Sequence, residues 1–201
     1  MAFKETKNII MQKRKIVLAS RSPRRKKLLE QVGLEFEIFE SNFDENSVKL
    51  ADPIELAKFL ALKKAEAAAA QYADAIIIGA DSVVIFNGAA LGKPRDAAEA
   101  KKILRELSGK ENKGITGYAI IDVKNKIVIN SHSEATVKFR DLSDEEIDEY
   151  IATGEPLDMA GAYGIMDRGA TLMESVNGNF YSIVGLPINE VYFELRKMGV
   201  I

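Results

Sequence analysis

Segment 15–32 places an apolar, strand-like run directly before a helix, and no other feature of the chain constrains the fold as strongly. Lys15–Ala19 (KIVLA) has the composition of a buried strand. Ser22 and Pro23 then predict a helix start, with Ser22 as the N-cap and Pro23 at the first helical position, and Gly33 predicts its end. A strand that leads straight into a helix is typical of folds in which helices cover a sheet.

The rest of the chain mixes predicted helices with predicted β-hairpins. The predicted strands are 35–39, 75–79, 82–86, 89–91, 113–123, 126–140, 171–176 and 180–184. The further predicted helices are 52–72, 95–107, 143–153 and 187–198, and Ser143 with Glu146 forms a capping box for the third of them. Because crossovers and hairpins both occur, we expect one domain of the α/β or α+β class with a mixed sheet.

The composition removes most of the usual catalytic groups. The chain has no cysteine and one histidine, His132, which excludes disulfides, thiolate zinc sites, cysteine nucleophiles and multi-histidine metal sites. The groups that remain are carboxylates, Lys, Arg, hydroxyls, backbone amides and a hard metal ion bound through oxygen. This set favours chemistry on phosphates.

The charge distribution argues against a nucleic-acid partner. Residues 1–29 carry ten Lys or Arg against Glu5 alone, a local charge of +9, so the remaining residues carry −11. Because the pI of the whole chain is about 5.7, the basic end is a local feature. There is no apolar stretch long enough to span a membrane and no secretory signal pattern at the start, so we expect no membrane association and a cytoplasmic location.

The loop Ser20–Arg25 joins the first predicted strand to its helix and predicts an anion site. Free amides and the helix dipole at a helix N-terminus attract anions, and arginines bind phosphate oxygens through paired hydrogen bonds. Arg25 shares the inward stripe of the helix with Leu28, Leu29 and Val32. An arginine in the first turn opposes the helix dipole and therefore needs a partner. Phosphate binding is the favoured interpretation, and a solvated basic helix start is the alternative.

Lys64 lies on the apolar stripe of predicted helix 52–72. It follows Ala57, Leu60 and Ala61 at helical spacing, whereas its neighbour Lys63 points to another face. A lysine in this position either packs its stem along the edge of the core or serves as a ligand, and the pattern leaves both open.

A third group follows the apolar run 76–78. Asp81 comes at the predicted end of this strand, where a metal ion or a general base is commonly held. The next hairpin brings Lys93 back toward it, so that an acid and a base flank one anionic substrate, with a simple ion pair between turns as the alternative. Asp44 and Glu45 are either further oxygen ligands or loop acids.

These segments together resemble the Maf family of nucleoside triphosphate pyrophosphatases, also called septum formation inhibitor proteins. The resemblance covers the chain from residue 15 onward. The matching stretches are Leu18–Arg25, Phe43–Glu45, Leu60–Ala61 with Lys64–Ala65, Gly79–Val84, Gly92–Pro94, Leu107–Gly109, Thr116–Gly117, Gly154–Pro156, Ala160–Ile165 and Val184–Pro187.

The resemblance implies an elongated, two-lobed α/β fold like that of inosine triphosphatases, with a mixed twisted sheet and a central cleft, over residues 15–201. Residues 1–14 are then an N-terminal extension. It also implies a homodimer, and the cleavage of a nucleoside triphosphate to the monophosphate and pyrophosphate with Mg²⁺ or another divalent cation such as Mn²⁺ or Co²⁺.

The family's site residues carry over position by position. Asp81 corresponds to the proton acceptor, and Glu45 and Asp81 to the metal ligands. The implied catalytic residues are Asp81, Lys93, Lys64 and Glu45. The implied substrate-binding residues are Ser20, Arg24, Arg25, Ser82 and Met166.

The chain departs from the family pattern at a few of these positions. Met159 stands where the family usually has a lysine, and Asn112 where it has a histidine. Arg24, Ser82 and Met166 stand where the dTTP and UTP pyrophosphatases have Arg, Thr and Gln. Serine keeps the hydroxyl of threonine, but methionine lacks the amide hydrogen bonds of glutamine. We therefore expect dTTP, UTP or a modified nucleotide as substrate.

A different class of function uses the same pocket. A non-catalytic, nucleotide-binding regulator of cell division needs no carboxylate beside a triphosphate. The retained Asp81, Glu45, Lys64 and Lys93 favour the enzyme, and Met159 favours the regulator.

Overall fold

The computed structural model describes residues 11–201 apart from 42, 44, 46, 47 and 49. Seven strands, six α-helices and three 3₁₀ segments are assigned within these residues. The strands are β1 Ile16–Leu18, β2 Glu37–Ile38, β3 Ile76–Phe86, β4 Ala89–Leu91, β5 Glu111–Asp122, β6 Ile127–Phe139 and β7 Met173–Gly178. The α-helices are α1 Pro23–Gln31, α2 Pro53–Ala69, α3 Ala97–Leu107, α4 Asp144–Ile151, α5 Phe180–Val184 and α6 Ile188–Lys197. The 3₁₀ segments are Glu155–Asp158, Ala160–Ala162 and Asp167–Leu172.

All seven strands form one sheet in the order β2-β1-β3-β5-β6-β7, with β4 beside the second half of β3. β1 is parallel to both β2 and β3, and every other pairing is antiparallel. Helices pack on both faces of this sheet. The predicted mixed α/β architecture is therefore confirmed.

One edge of β3 is shared by two short strands that do not meet. β1 pairs with residues 76–78 of β3, and β4 pairs with residues 84–86. Within the described part of the chain, no strand pairs with residues 79–83 on that edge. The loop after β1 and the loop after β4 therefore face each other across a gap in the sheet.

The two faces of β3 belong to different parts of the core. Ile76, Ile78 and Ala80 pack with residues of α1, α5 and α6. Ile77 lies on the other face, against the alanines of α2. A third apolar cluster, contributed mainly by α3, α4 and the end of β6, lies beyond β4.

Two glycines allow α2 to lie unusually close to the sheet. A Cβ atom on Gly79 would be 2.3 Å from the carbonyl oxygen of Ala61, and one on Gly117 would be 2.3 Å from the carbonyl carbon of Ala57. Both partner atoms are backbone atoms of α2, so any larger residue would have to displace the helix.

Two predictions about the elements are wrong: one places a strand end incorrectly, and the other assigns a helix as a strand. Runs 75–79 and 82–86 form one continuous strand, so Asp81 lies inside β3 and not at its end. Segment 180–184 is helix α5 and not a strand, because the side chain of Asn179 accepts a hydrogen bond from the Tyr181 amide and Gly185 ends the helix with φ +116°.

Residues 11–14 contact the domain that follows them. The Lys13 amide donates to the Val200 carbonyl over 2.9 Å, and Arg14 forms ion pairs with Asp74 and with the buried Asp122. This guanidinium lowers the pKa of Asp122 to about 2. Residues 1–10 lie outside the described residues. Within the described chain, no helix is both long and apolar enough to cross a membrane.

Candidate active site

A cavity of about 1100 Å³ opens at the gap in the sheet. The loop after β1 and the start of α1 form one wall, and the loop after β4 together with the 3₁₀ segments forms another. β3, the start of β5, Leu60 and Lys64 of α2, the α5 segment and the loop after β2, which carries Glu45, also line it. The sheet gap thus brings together segments that are far apart in the sequence.

Lys64 lies between two carboxylates in this cavity. Its ammonium nitrogen Nζ is 2.6 Å from Oδ1 of Asp81 and 2.8 Å from Oε1 of Glu45. Lys64 is 9% exposed and Asp81 7% exposed, whereas the Glu45 side chain is half exposed. Lys64 therefore binds the two acids through its ammonium group. Lys64 belongs to α2, the helix that lies close to the sheet at Gly79 and Gly117.

Arg25 is a buried cation with no carboxylate in hydrogen-bond contact among the described residues. Its Nε donates to the carbonyl oxygen of Gly185 over 2.7 Å, Nη1 donates to Oγ of Ser20 over 3.0 Å, and Nη2 donates to Oγ of Ser82 over 3.2 Å. Burial lowers the pKa of this guanidinium, and the charge of Asp81 opposes that shift. A buried positive charge held only by neutral acceptors is a strong attractor for an anion.

Arg24 and Lys93 line the same cavity with different partners. The guanidinium of Arg24 contacts the thioether sulfur of Met159. Nζ of Lys93 is 2.5 Å from Oδ1 of Asp158, and both side chains are largely exposed. The predicted approach of Lys93 to Asp81 therefore does not take the form of an ion pair: Lys93 pairs with Asp158 of the first 3₁₀ segment.

Eight of the nine predicted site residues line this one cavity. They are Ser20, Arg24, Arg25, Glu45, Lys64, Asp81, Ser82 and Lys93. Met166 lies instead in an adjoining cavity of about 230 Å³, which shares Arg24 and Met159 with the larger one. Asp44, considered as a further oxygen ligand, lies outside the described residues.

Comparison with known proteins identifies the family to which this chain belongs. A model of the Maf-like protein family matches residues 15–198. The chain belongs to the Maf family. The dTTP/UTP pyrophosphatase of Symbiobacterium thermophilum is 44% identical over 184 residues, which are 92% of this chain and 94% of that protein. The dTTP/UTP pyrophosphatase of Dictyoglomus turgidum is 43% identical over 188 residues, 93% of this chain and 97% of that protein.

A partial likeness to a solved structure accompanies these matches. The Ham1 protein of Staphylococcus aureus superposes with a TM-score of 0.45 at 16% identity, over 63% of this chain and 72% of that one.

Two departures from the Maf pattern are accommodated within the structure. Asn112 is buried, and its Oδ1 accepts a hydrogen bond of 2.6 Å from the hydroxyl of Tyr163, a residue of the cavity wall. Burial raises the pKa of the Tyr163 hydroxyl, which keeps it a neutral donor. Met159 gives the guanidinium of Arg24 an uncharged contact.

Sequence reasoning missed two residues of the Arg25 site: Gly185, whose carbonyl oxygen accepts from Arg25, and Thr116 of β5, whose hydroxyl contacts Ser82. Thr116 faces Ser82 because the two residues are register partners on β3 and β5. The available signals were the Thr116–Gly117 and Val184–Pro187 matches to the Maf family, which do not say what these residues contact.

Proposed function

We propose that this Maf protein is a cytoplasmic nucleoside triphosphate pyrophosphatase, with dTTP, UTP or a modified nucleotide as its favoured substrate. One observation carries the proposal: a buried carboxylate paired with Lys64 lies in the same cavity as a buried arginine that contacts no acidic side chain among the described residues. The first group suits water activation and the second suits phosphate binding. The names of the 43–44% identical relatives support the same activity and substrates.

In the proposed reaction, Asp81 orients a water molecule and accepts its proton. The water oxygen forms a bond to the α-phosphorus, and the bond from that phosphorus to the bridging oxygen breaks, which releases pyrophosphate. Arg25, Arg24 and Lys93 offset the negative charge on the triphosphate, and Lys64 holds the Asp81 carboxylate in place. Such a reaction needs positioning and electrostatic stabilisation more than covalent help from the protein.

We also propose that Glu45 and Asp81 hold the divalent cation that the Maf family implies, Mg²⁺ or alternatively Mn²⁺ or Co²⁺. The donor set fits, since two carboxylates already flank one positive charge, the Lys64 ammonium, at 2.6 and 2.8 Å. In the described chain, no group of three or more His, Cys, Asp or Glu could hold a metal. Mg²⁺ usually takes one or two carboxylates and completes its shell with phosphates and water. When bound, it would supply charge stabilisation on the phosphate oxygens.

The test of the activity is a screen of canonical and modified nucleoside triphosphates with Mg²⁺ or Mn²⁺. We expect the products to be the monophosphate and pyrophosphate in equal amounts. Release of single inorganic phosphate would contradict the proposed site of cleavage. Tight nucleotide binding without any turnover would instead identify the non-catalytic regulator.

Met166 provides a prediction on base preference. A thioether offers only apolar contact where the glutamine of the dTTP/UTP subgroup would offer amide hydrogen bonds. We expect Met166→Gln to raise kcat/KM for dTTP or UTP relative to purine triphosphates about 5- to 150-fold, the range for one specific contact of about 1–3 kcal/mol. Competition assays with paired nucleotides on both proteins measure the ratio. If the wild-type protein already rejects purine triphosphates and Met166→Gln leaves the ratio unchanged, base recognition lies elsewhere in the site.

We propose a homodimer as well. Over the described chain, β7 covers only residues 135–139 of the outer edge of β6, and Ile127 and Val128 at the start of that strand are exposed. Light scattering is expected to give about twice the chain mass of 22.2 kDa. A monomeric mass at micromolar concentration would contradict this.

A further inference from the structure

We infer that Thr116 is a positioning residue for Arg25 and acts on it through the hydroxyl of Ser82. The inference rests on the proposed function, because it assigns Arg25 to the binding of the triphosphate. Thr116 is fully buried and does not line either cavity. Its effect on an anion in the cavity must therefore pass through other side chains.

The direction of each hydrogen bond in this group follows from the number of donors. The Thr116 hydroxyl donates its single proton to the carbonyl oxygen of Ser182, 2.6 Å away. In the 2.7 Å contact between the two hydroxyls, Ser82 must therefore be the donor and Thr116 the acceptor. The oxygen of Ser82 in turn accepts from Nη2 of Arg25. The chain of hydrogen bonds thus runs from Arg25 through Ser82 and Thr116 to Ser182 in one fixed direction.

This series of hydrogen bonds fixes one of the three attachment points of the Arg25 guanidinium. An arginine has five N–H groups, and three of them are used by Gly185, Ser20 and Ser82. One N–H group therefore remains on each terminal nitrogen, and Arg25 lines the cavity in which the oxygens of a phosphate could accept from them. Because a planar fork binds an anion only in the correct orientation, loss of one attachment point weakens binding without removing the charge.

Counting the proton and lone pairs of the Ser82 hydroxyl also defines what Ser82 can do. Its proton is donated to Thr116 and one of its lone pairs accepts from Arg25, so it has no proton left for a substrate base. We assign Ser82 to the orientation of Arg25, and toward a substrate it offers its second lone pair as an acceptor.

The hydrogen bonds from Arg25 to Ser182 lie on the face of β3 opposite to the Asp81 carboxylate. Ser82 points toward α1 and α5, whereas Asp81 points toward Lys64 on α2, as expected for successive residues of a strand. A change at Thr116 therefore acts on anion binding and leaves the Asp81–Lys64 pair in place.

The test compares Thr116→Val, which has nearly the same shape but no hydroxyl, with Thr116→Ser, which restores it. The probe is inorganic pyrophosphate, bound to the full-length chain and measured by calorimetry. We expect Thr116→Val to raise the Kd for pyrophosphate about 3- to 10-fold, the range for one lost buried hydrogen bond. The KM for the nucleotide should rise by a similar factor, while kcat and the shape of its pH profile stay as in wild type. Thr116→Ser should lie within about twofold of wild type.

Two further variants separate positioning from general loss of structure. Thr136→Val makes the same replacement in β6, outside both cavities, and should leave the Kd unchanged. Ser82→Ala should raise the Kd as Thr116→Val does, and adding Thr116→Val to it should cause no further rise, because both act through one chain. Should Thr116→Val fail to fold, Thr116→Ala is measured in its place against the same two controls.

The outcomes distinguish this inference from the proposed function. A normal Kd in Thr116→Val, an additive loss in the double variant, or a fall in kcat at constant KM would overturn the positioning role even if the wild type hydrolyses nucleotides. A wild type that binds pyrophosphate in this pattern but hydrolyses nothing would overturn only the proposed function. A wild type that neither binds pyrophosphate nor hydrolyses nucleotides would overturn both.

Discussion

Asp81→Asn is expected to lower kcat by about 10²- to 10⁴-fold while nucleotide binding is retained. The amide has the shape of the carboxylate, but it cannot accept the proton of the attacking water or bind a cation with a full negative charge. Lys64 keeps Glu45 as an ion-pair partner, so the buried ammonium is not left without a counter-charge. Binding is expected to persist because Arg25 and Ser20 lie on the other side of the strand.

The measurement is the single-turnover rate together with calorimetric binding of the same nucleotide. Asp148→Asn provides the matched control, since Asp148 forms an exposed ion pair with Lys101 on the surface of α4. Such a pair contributes about 0–1 kcal/mol to stability, and its loss should not change turnover. If Asp81→Asn keeps more than about a tenth of the wild-type rate, the assignment of Asp81 is wrong.

Gly117→Ala is expected to lower both stability and activity. The added Cβ would lie 2.3 Å from a backbone atom of Ala57, and a backbone cannot rotate away as a flexible side chain can. Displacement of α2 should cost about 3 kcal/mol, which for a chain of this size lowers Tm by roughly 6–12 °C. Because α2 carries Lys64, the same displacement separates its ammonium from Asp81 and lowers kcat/KM.

Calorimetric unfolding and steady-state kinetics on one preparation test this pair of effects. Gly92→Ala is the control for stability, because a Cβ there would have no heavy atom within 4 Å. A Tm within about 2 °C of wild type for Gly117→Ala would show that the helix adjusts easily. In that case the close approach of α2 is not what positions Lys64.

The parts of the fold and site that sequence reasoning predicted correctly depend on local signals. The first strand and helix follow from an apolar run, a Ser-Pro helix start and a glycine stop, all within one short segment. The capping box of Ser143 and Glu146 is present with both of its hydrogen bonds. The inward position of Lys64 follows from helical spacing alone, and its burial confirms that spacing.

The incorrect or missing parts depend on contacts between distant segments. Segment 180–184 has the β-branched and aromatic residues of a strand, but an Asn179 cap and its packing against β5 and β6 make it a helix. Lys93 pairs with Asp158, and no local pattern links residues 65 positions apart. Thr116 faces Ser82 only because β3 and β5 pair in one particular register.

The gap along β3 has a consequence for association with other chains. An unpaired strand edge usually invites another strand to join it, and proteins protect such edges with charges, bulges or covering segments. Here no strand of the described residues pairs with residues 79–83 on that edge, a stretch of roughly 16 Å at about 3.3 Å per residue, bounded by β1 on one side and β4 on the other. All five residues are buried or half-buried, and β1 and β4 flank them, so a strand of another molecule cannot easily reach this edge. The shortness and burial of this stretch therefore leave little risk of edge-to-edge aggregation.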